Sequence, residues 1–150
     1  MENSVNIRTA THADLEQIVE VENACFDYDR FSRRQLNYLI AHAQGVCYVA
    51  ECKERIVGYI SLLYRVGLSC IRIYSVAVHP DFRGRHLGTK FVDKAKDYAS
   101  HNGFHQISLE VKTDNFVAID LYKKSGFNMV SVLENYYADS SNAFRMKLQF

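Results

Sequence analysis

The chain is short of the residues that punctuate a protein, staple it or charge it for a special duty. One proline in 150 residues leaves no Pro-rich linker, and the composition lies far from the collagen-like and disordered classes. Cys25, Cys47, Cys52 and Cys70 show neither CxxC spacing nor a neighbouring histidine pair. That argues against zinc and leaves buried reduced thiols, with no metal, as the expectation. Neither sign of charge is in excess: 18 basic against 17 acidic side chains give +1, too weak a field for non-specific nucleic-acid or membrane binding. Any polyanion site must be local. The opening MENSVNIRTATHADL has no basic start followed by an apolar core, and no run approaches the length of a membrane span, so a cytoplasmic protein is expected. A Walker lysine before Ser or Thr is missing, as is the three-glycine dinucleotide fingerprint, which excludes nucleotide-triphosphate and Rossmann readings.

What is present is a core-forming chain, 48% hydrophobic and 13% aromatic. It is long enough to bury roughly two-thirds of its unfolded surface as one domain over residues 1–150. Val5 to Ile7 reads as a short strand. Thr11 with Asp14 resembles a helix cap ahead of Leu15, Ile18, Val19, Glu22 and Phe26, whose apolar members recur at three and four residues and predict a helix over 12–25. A second cap, Ser32 with Gln35, starts a helix carrying Leu36, Leu39, Ile40 and Ala43, which Gly45 is expected to end. From Val46 the period changes to two. VCYVAEC, a turn at Lys53 to Arg55, and IVGYISLLY read as a hairpin, with Cys70 to Val78 as the next strand. Leu87, Phe91, Ala95 and Tyr98 make one side of a helix stopped by Asn102 and Gly103. Gln106 to Val111 is a strand, Asn115 to Ser125 a helix closed by Gly126, and Phe127 to Leu133 and Ala143 to Gln149 are the last strands. The order βααβββαβαββ is an α/β fold with a mixed sheet flanked by helices, and strands 72–78 and 106–111 are expected to be parallel across a right-handed crossover.

The stretch RIYSVAVHPDFRGRHLG, from Arg72 to Gly88, joins a strand to a helix through a loop rich in Arg and Gly. A helix start leaves backbone N–H groups unpartnered beside a partial positive charge, and Arg83 and Arg85 add formal charge, so the junction suits an anion. Its place at the carboxyl end of a central strand is where open α/β sheets bind ligands.

A second block, NFVAIDLYKKSGF from Asn115 to Phe127, raises the signal. The strand VAV with HPDFRGRHLG, followed by N-x-x-A-x-x-L-Y-x-K-x-G-F, resembles the two signature motifs of the GNAT superfamily of acetyl-coenzyme A-dependent N-acetyltransferases. The element order matches that fold over almost the whole chain. The resemblance implies that backbone groups of Val76, Ala77 and Val78 pair with the pantetheine arm of acetyl-coenzyme A as with an added strand. It implies that N–H groups from Gly84 through Arg85, His86, Leu87 and Gly88 to Thr89, beside Arg83, hold the pyrophosphate, with Asn115 near the pantetheine and Tyr122 near the sulfur. One residue departs from the pattern: His86 stands where a motif glycine is usual, tolerable if its φ stays negative. Its side chain either donates to phosphate or faces solvent.

ISLEVKTDNFVAIDLYKKSGF followed by ENYYADSSNAFRMKL further resembles the ribosomal-protein-alanine N-acetyltransferases and related protein N-terminal acetyltransferases. That resemblance implies Glu110 as base and Tyr122 as acid. An amine largely protonated at pH 7 needs a base to attack a thioester, and the leaving thiolate benefits from an acid. Taken without the resemblance, Glu110 reads as a polar-face strand residue of ISLEVK, and Tyr122, beside Leu121, can be core filler. Phe26 and Phe31, in the loop Cys25 to Ser32, either pack helices or face substrate; Tyr136 and Tyr137 either pack a strand end or line an acceptor cleft. That loop has FDYDRFS where the alanine-acetyltransferase branch commonly has Pro-Trp-Ser, and its Asp27 and Asp29 suit a cationic acceptor. The expected acceptor is a protein or peptide N-terminal amine, with a small amine, lysine or aminoacyl-tRNA as alternatives. A non-catalytic acyl-coenzyme A-binding module is the reading from another class. A monomer or homodimer is expected.

Overall fold

The structure is a computed structural model that describes residues 4–27 and 29–150; Met1 to Asn3, and Tyr28 within the loop Cys25 to Ser32, lie outside the described residues. The elements are β1 (Asn6–Thr9), a 3-10 turn (His12–Asp14), α1 (Leu15–Cys25), α2 (Arg33–Ala41), β2 (Gly45–Cys52), β3 (Arg55–Tyr64) and β4 (Cys70–Val78). A second 3-10 turn (Pro80–Phe82), α3 (Leu87–His101), β5 (Gln106–Lys112), α4 (Phe116–Lys124), β6 (Asn128–Leu133) and β7 (Ala143–Gln149) complete the chain. The strands make one seven-stranded sheet in the order β1-β2-β3-β4-β5-β7-β6. Among the described residues only β4 and β5 pair in parallel, as the crossover through α3 requires; the other neighbours are antiparallel.

Helices cover both faces of the sheet, which is why β2 and β3 read as near-continuous apolar runs instead of alternating with polar residues. Tyr48, Ala50, Ile60 and Leu62 pack with Leu87, Phe91 and Ala95 of α3. Their neighbours Cys47, Val49 and Tyr59 pack with Leu15, Ile18 and Val21 of α1 and Leu36 and Leu39 of α2. Both expected capping boxes form. Thr11 pairs reciprocally with Asp14 ahead of the first 3-10 turn, and Ser32 with Gln35 at the start of α2, so the N–H groups of Thr11, Asp14, Ser32 and Gln35 find acceptors.

Three expectations are corrected. Gly45 does not end α2, which stops at Ala41; it opens β2. A Cβ there would lie 1.8 Å from the Leu62 carbonyl oxygen, so glycine serves the close approach of β2 and β3. His86 has φ +61, so the negative φ under which a side chain would be readily tolerated is not met, and the residue adopts the left-handed conformation that explains why glycine is usual at this position. The cysteines are free, but only Cys47 and Cys52 are buried; Cys25 and Cys70 are half-buried.

Candidate active site

The site begins where β4 and β5 part. Their parallel ladder runs from Cys70 opposite Gln106 to Ile73 opposite Leu109 and stops there. On the other side of β4, Ser61 faces Ser75 and Leu62 faces Ile73, which leaves Tyr74 as a bulge residue without a partner. A bulge bends its strand, and here it coincides with the divergence. Glu110 is the first β5 residue beyond the last paired position, as a base placed where the strands open would have to be.

Beyond the bulge, β4 presents an open edge toward the side β5 has left. The His79 N–H donates to the Val57 carbonyl at 2.8 Å, which fixes the alternation: His79 and Ala77 turn to β3, Val76 and Val78 to the open edge. The run Val76 to Val78 is therefore not uniform. Ala77 commits its backbone to Tyr59 of β3 and buries its side chain under α1. The Val78 carbonyl accepts from Arg83 Nε at 3.2 Å and from the Cys25 thiol at 3.2 Å.

Downstream, the His79 ring accepts from the Asp81 N–H at 3.2 Å, and Arg85 lies over the Phe82 ring at 4.9 Å. The loop then enters α3 through Gly84, at φ +80, and His86. Unlike α2 and α4, α3 has no side-chain cap, and its first turn holds no acidic residue. The first-turn N–H groups of Leu87, Gly88 and Thr89 have no intrahelical partner, which fits a pyrophosphate. Gly88 has a packing role as well, since a Cβ would come within 2.8 Å of Leu121 Cδ2.

Between the diverging strands lies a cavity of about 410 Å³. One wall is Glu22, Phe26, Asp29 and Phe31; the floor comes from β4 and β5; Asn115, Ala118 and Tyr122 of α4 and then Tyr136 and Tyr137 close the other side. Glu110, Tyr122, Phe26, Asp29, Phe31, Tyr136 and Tyr137 thus meet in one space, whereas Asp27, also expected to suit a cationic acceptor, is not part of its lining. Phe26 and Phe31 both pack on the core and line the cavity, so the two readings of that loop hold together. Asn115 caps α4, its Oδ1 accepting from the Ala118 N–H at 3.3 Å, and lines the cavity from that position.

Glu110 has 6% of its side chain exposed. Arg145 Nε donates to its Oε2 at 3.1 Å, and Arg72 Nη2 lies 2.5 Å from Oε1 as an ion pair. Arg72 Nη2 also donates to the Tyr136 hydroxyl at 2.8 Å. The Arg72 contact lacks the alignment of a hydrogen bond, so Glu110 Oε1 keeps an unused lone pair. Tyr122 is buried, and burial, with Tyr137 beside it, pushes its hydroxyl up to about 12. The half-buried Tyr137 is likewise pushed up to about 12, by burial and then by Tyr136 and Glu110. Lys112 ties the cavity's two loops together, meeting Asp29 at 3.3 Å and Asp139 at 3.6 Å with its ammonium 5.3 Å from the Tyr137 ring centre. Burial pulls its ammonium down, but the two carboxylates outweigh that and hold it raised. Asp29 is therefore compensated, which weakens the case for a polycationic acceptor.

Sequence reasoning missed Arg72, Arg145, Lys112 and Glu22 as parts of this site. The register Glu110 opposite Arg145 follows from pairing β5 with β7; no local signal announces the others.

A strand pair thus splays beside an uncapped helix start, with a buried carboxylate and a buried phenol lining the gap, an arrangement compatible with an acyltransferase. The chain matches the model of the acetyltransferase (GNAT) family over residues 14–127 and belongs to that family. It is 30% identical to an N-alpha-acetyltransferase of Sulfolobus acidocaldarius, over 93% of this chain and 89% of that one. The ribosomal-protein-S18-alanine N-acetyltransferase from Escherichia coli shares its fold with a TM-score of 0.88 at 21% identity, covering 97% of this chain and 94% of that one. YncA from Salmonella typhimurium, solved with its cofactor acetyl-CoA, superposes with a TM-score of 0.81 at 24% identity over 98% of this chain and 94% of that one.

Proposed function

We propose that this chain, read as one catalytic domain over residues 1–150, transfers acetyl from acetyl-CoA to the α-amine of a protein or peptide N-terminus by direct attack. The observation that carries the reading is the meeting of Glu110 and Tyr122 across one cavity at the point where β4 and β5 diverge. Similarity to N-alpha-acetyltransferases along nearly the full length of both chains supports the acceptor class.

Acetyl-CoA supplies the activated acetyl group, its pantetheine running along the β4 edge at Val76 and Val78 and its pyrophosphate at Gly84 to Thr89. Arg83 contributes charge and fixes the Val78 carbonyl. Glu110 takes the proton of the incoming amine, directly or through a water on its free Oε1 lone pair. Arg72 and Arg145 compensate its charge and fix its orientation. The amine nitrogen bonds to the acetyl carbonyl carbon, the carbon–sulfur bond breaks, and Tyr122 gives its proton to the departing sulfur. Burial keeps the Tyr122 phenol protonated throughout the working pH range. Phe26, Phe31, Tyr136 and Tyr137 surround the acceptor, and Asp29 acts through Lys112.

The test is release of free coenzyme thiol with a panel of N-terminal peptides set against polyamines and free lysine. Turnover confined to the small amines overturns the N-terminal reading. Binding of coenzyme with no transfer to any acceptor overturns the catalytic one.

A further inference from the structure

Glu22 is the one fully buried carboxylate among the described residues, 1% exposed on α1, and the acid–base pair does not account for it. Its Oε1 accepts from the Tyr59 hydroxyl of β3 at 2.6 Å. Its Oε2 accepts from the Phe31 backbone N–H at 2.8 Å. Phe31 immediately precedes Ser32, the cap of α2, and its ring stacks on Tyr74 of β4 with centroids 5.4 Å apart and planes inclined 18°. One side chain thus links α1, the sheet and the end of the loop that walls the cavity.

Both groups facing Glu22 are donors, so the position calls for an acceptor with two oxygens. Burying a carboxylate is costly, and it is held raised here by that burial, opposed by the bonds from Tyr59 and Phe31. An apolar side chain would fill the seam between α1 and β3 without the penalty. What the carboxylate adds is a fixed Phe31, and with it a fixed aromatic wall of Phe31 on Tyr74 at the bulge where the strands open. The polar anchor continues into the sheet, where Ser75 lies beside the Tyr59 hydroxyl and shares a 2.6 Å hydrogen bond with Ser61.

We propose that Glu22 is a positioning residue for the acceptor: through the Phe31 amide it holds the aromatic wall against which the acceptor binds, without touching the donor site. The inference rests on the reading of this cavity as the acceptor site. It is tested on the full chain with Glu22→Gln, which keeps shape but sets an amide NH2 against one of the two donors. The Michaelis constant for the peptide acceptor is expected to rise by about tenfold, with that for acetyl-CoA and the saturated rate each changed by less than about threefold. Amide exchange at Phe31 is expected to quicken by about tenfold or more, independently of activity. A rise in both Michaelis constants together, or a freed Phe31 amide with unaltered acceptor kinetics, overturns the proposal. Should Glu22→Gln not fold, Tyr59→Phe removes only the sheet anchor. A rise of about threefold in the acceptor constant alone is then expected, and no change overturns the proposal. If the wild type acetylates only small amines, the N-terminal reading has failed, and the same comparison made with that amine still decides the role of Glu22.

Discussion

Glu110 and Arg145 face each other as a direct register pair across β5 and β7, joined at 3.1 Å, with Arg72 closing on the other carboxylate oxygen. The base proposed for the reaction is thus held from two strands, one on each side of β5. Glu110→Gln keeps the shape and removes the proton acceptor, and the saturated rate is expected to fall by about a hundred- to ten-thousand-fold while coenzyme affinity by calorimetry is kept. A wild-type rate would remove Glu110 from the mechanism.

Truncating the partner has a different signature. Breaking a fully buried pair costs about 3–5 kcal/mol, but Arg145 is 40% exposed and Arg72 remains in place. Arg145→Ala is therefore expected to cost about 1–2 kcal/mol, which scanning calorimetry would read as a Tm lower by about 2–8 °C.

Tyr122 carries a pH signature. Its folded-state pKa, pushed up to about 12, exceeds the unfolded value of about 10. The neutral phenol therefore contributes stability that is fully present below pH 10 and is lost as pH rises from about 10 to 12. Tyr137, also at about 12, adds to the same window. The wild-type Tm is expected to drop across it, and less steeply in Tyr122→Phe. That variant should also turn over at least about tenfold more slowly at pH 7–8, where the lost proton donor is felt. A Tyr122→Phe variant with an identical alkaline Tm profile and full activity would show the hydroxyl to be core filler.

The order of elements was legible because its signals are local: capping boxes at Thr11 and Ser32, a change of period at Val46, glycines closing α3 and α4. The parallel pairing of β4 with β5 followed from the crossover. The site was legible only where a motif carried it. Glu110 and Tyr122 came from the motif blocks, whereas Arg72 and Arg145 are joined to Glu110 by strand pairing across 38 and 35 positions, which no periodicity displays. Glu22 stands at the apolar spacing of Leu15, Ile18 and Val19, but no local signal shows which donors meet a carboxylate there until the fold brings Tyr59 and Phe31 to it. Ala77 was grouped with its neighbours because a motif names a run of residues, whereas backbone direction alternates along a strand.

His86 tests how much of the family pattern is backbone geometry. A left-handed residue with a Cβ costs about 1–2 kcal/mol, and glycine returns roughly 0.5–1 kcal/mol of that as unfolded-state entropy. His86→Gly is therefore expected to leave Tm equal or slightly higher. Its affinity for coenzyme A by calorimetry should change by less than about threefold if, as proposed, N–H groups hold the phosphate. A tenfold loss would assign the imidazole a direct phosphate contact.

Lys112 links Asp29, in the loop before α2, to Asp139, between β6 and β7, across the mouth of the cavity. All three side chains are partly exposed, so solvent screens both pairs, and Lys112→Met is expected to leave Tm little changed. Its effect on the acceptor should be larger than its effect on stability, because both loops that enclose the acceptor lose their common anchor. The acceptor Michaelis constant is expected to rise about three- to tenfold while that for acetyl-CoA holds. Salt separates this from a packing effect. Ionic strength screens exposed pairs, so raising it should increase the wild-type acceptor constant toward that of the variant and leave the variant nearly unchanged. Equal salt dependence in the two proteins would show that the bridge does not set the width of the cleft.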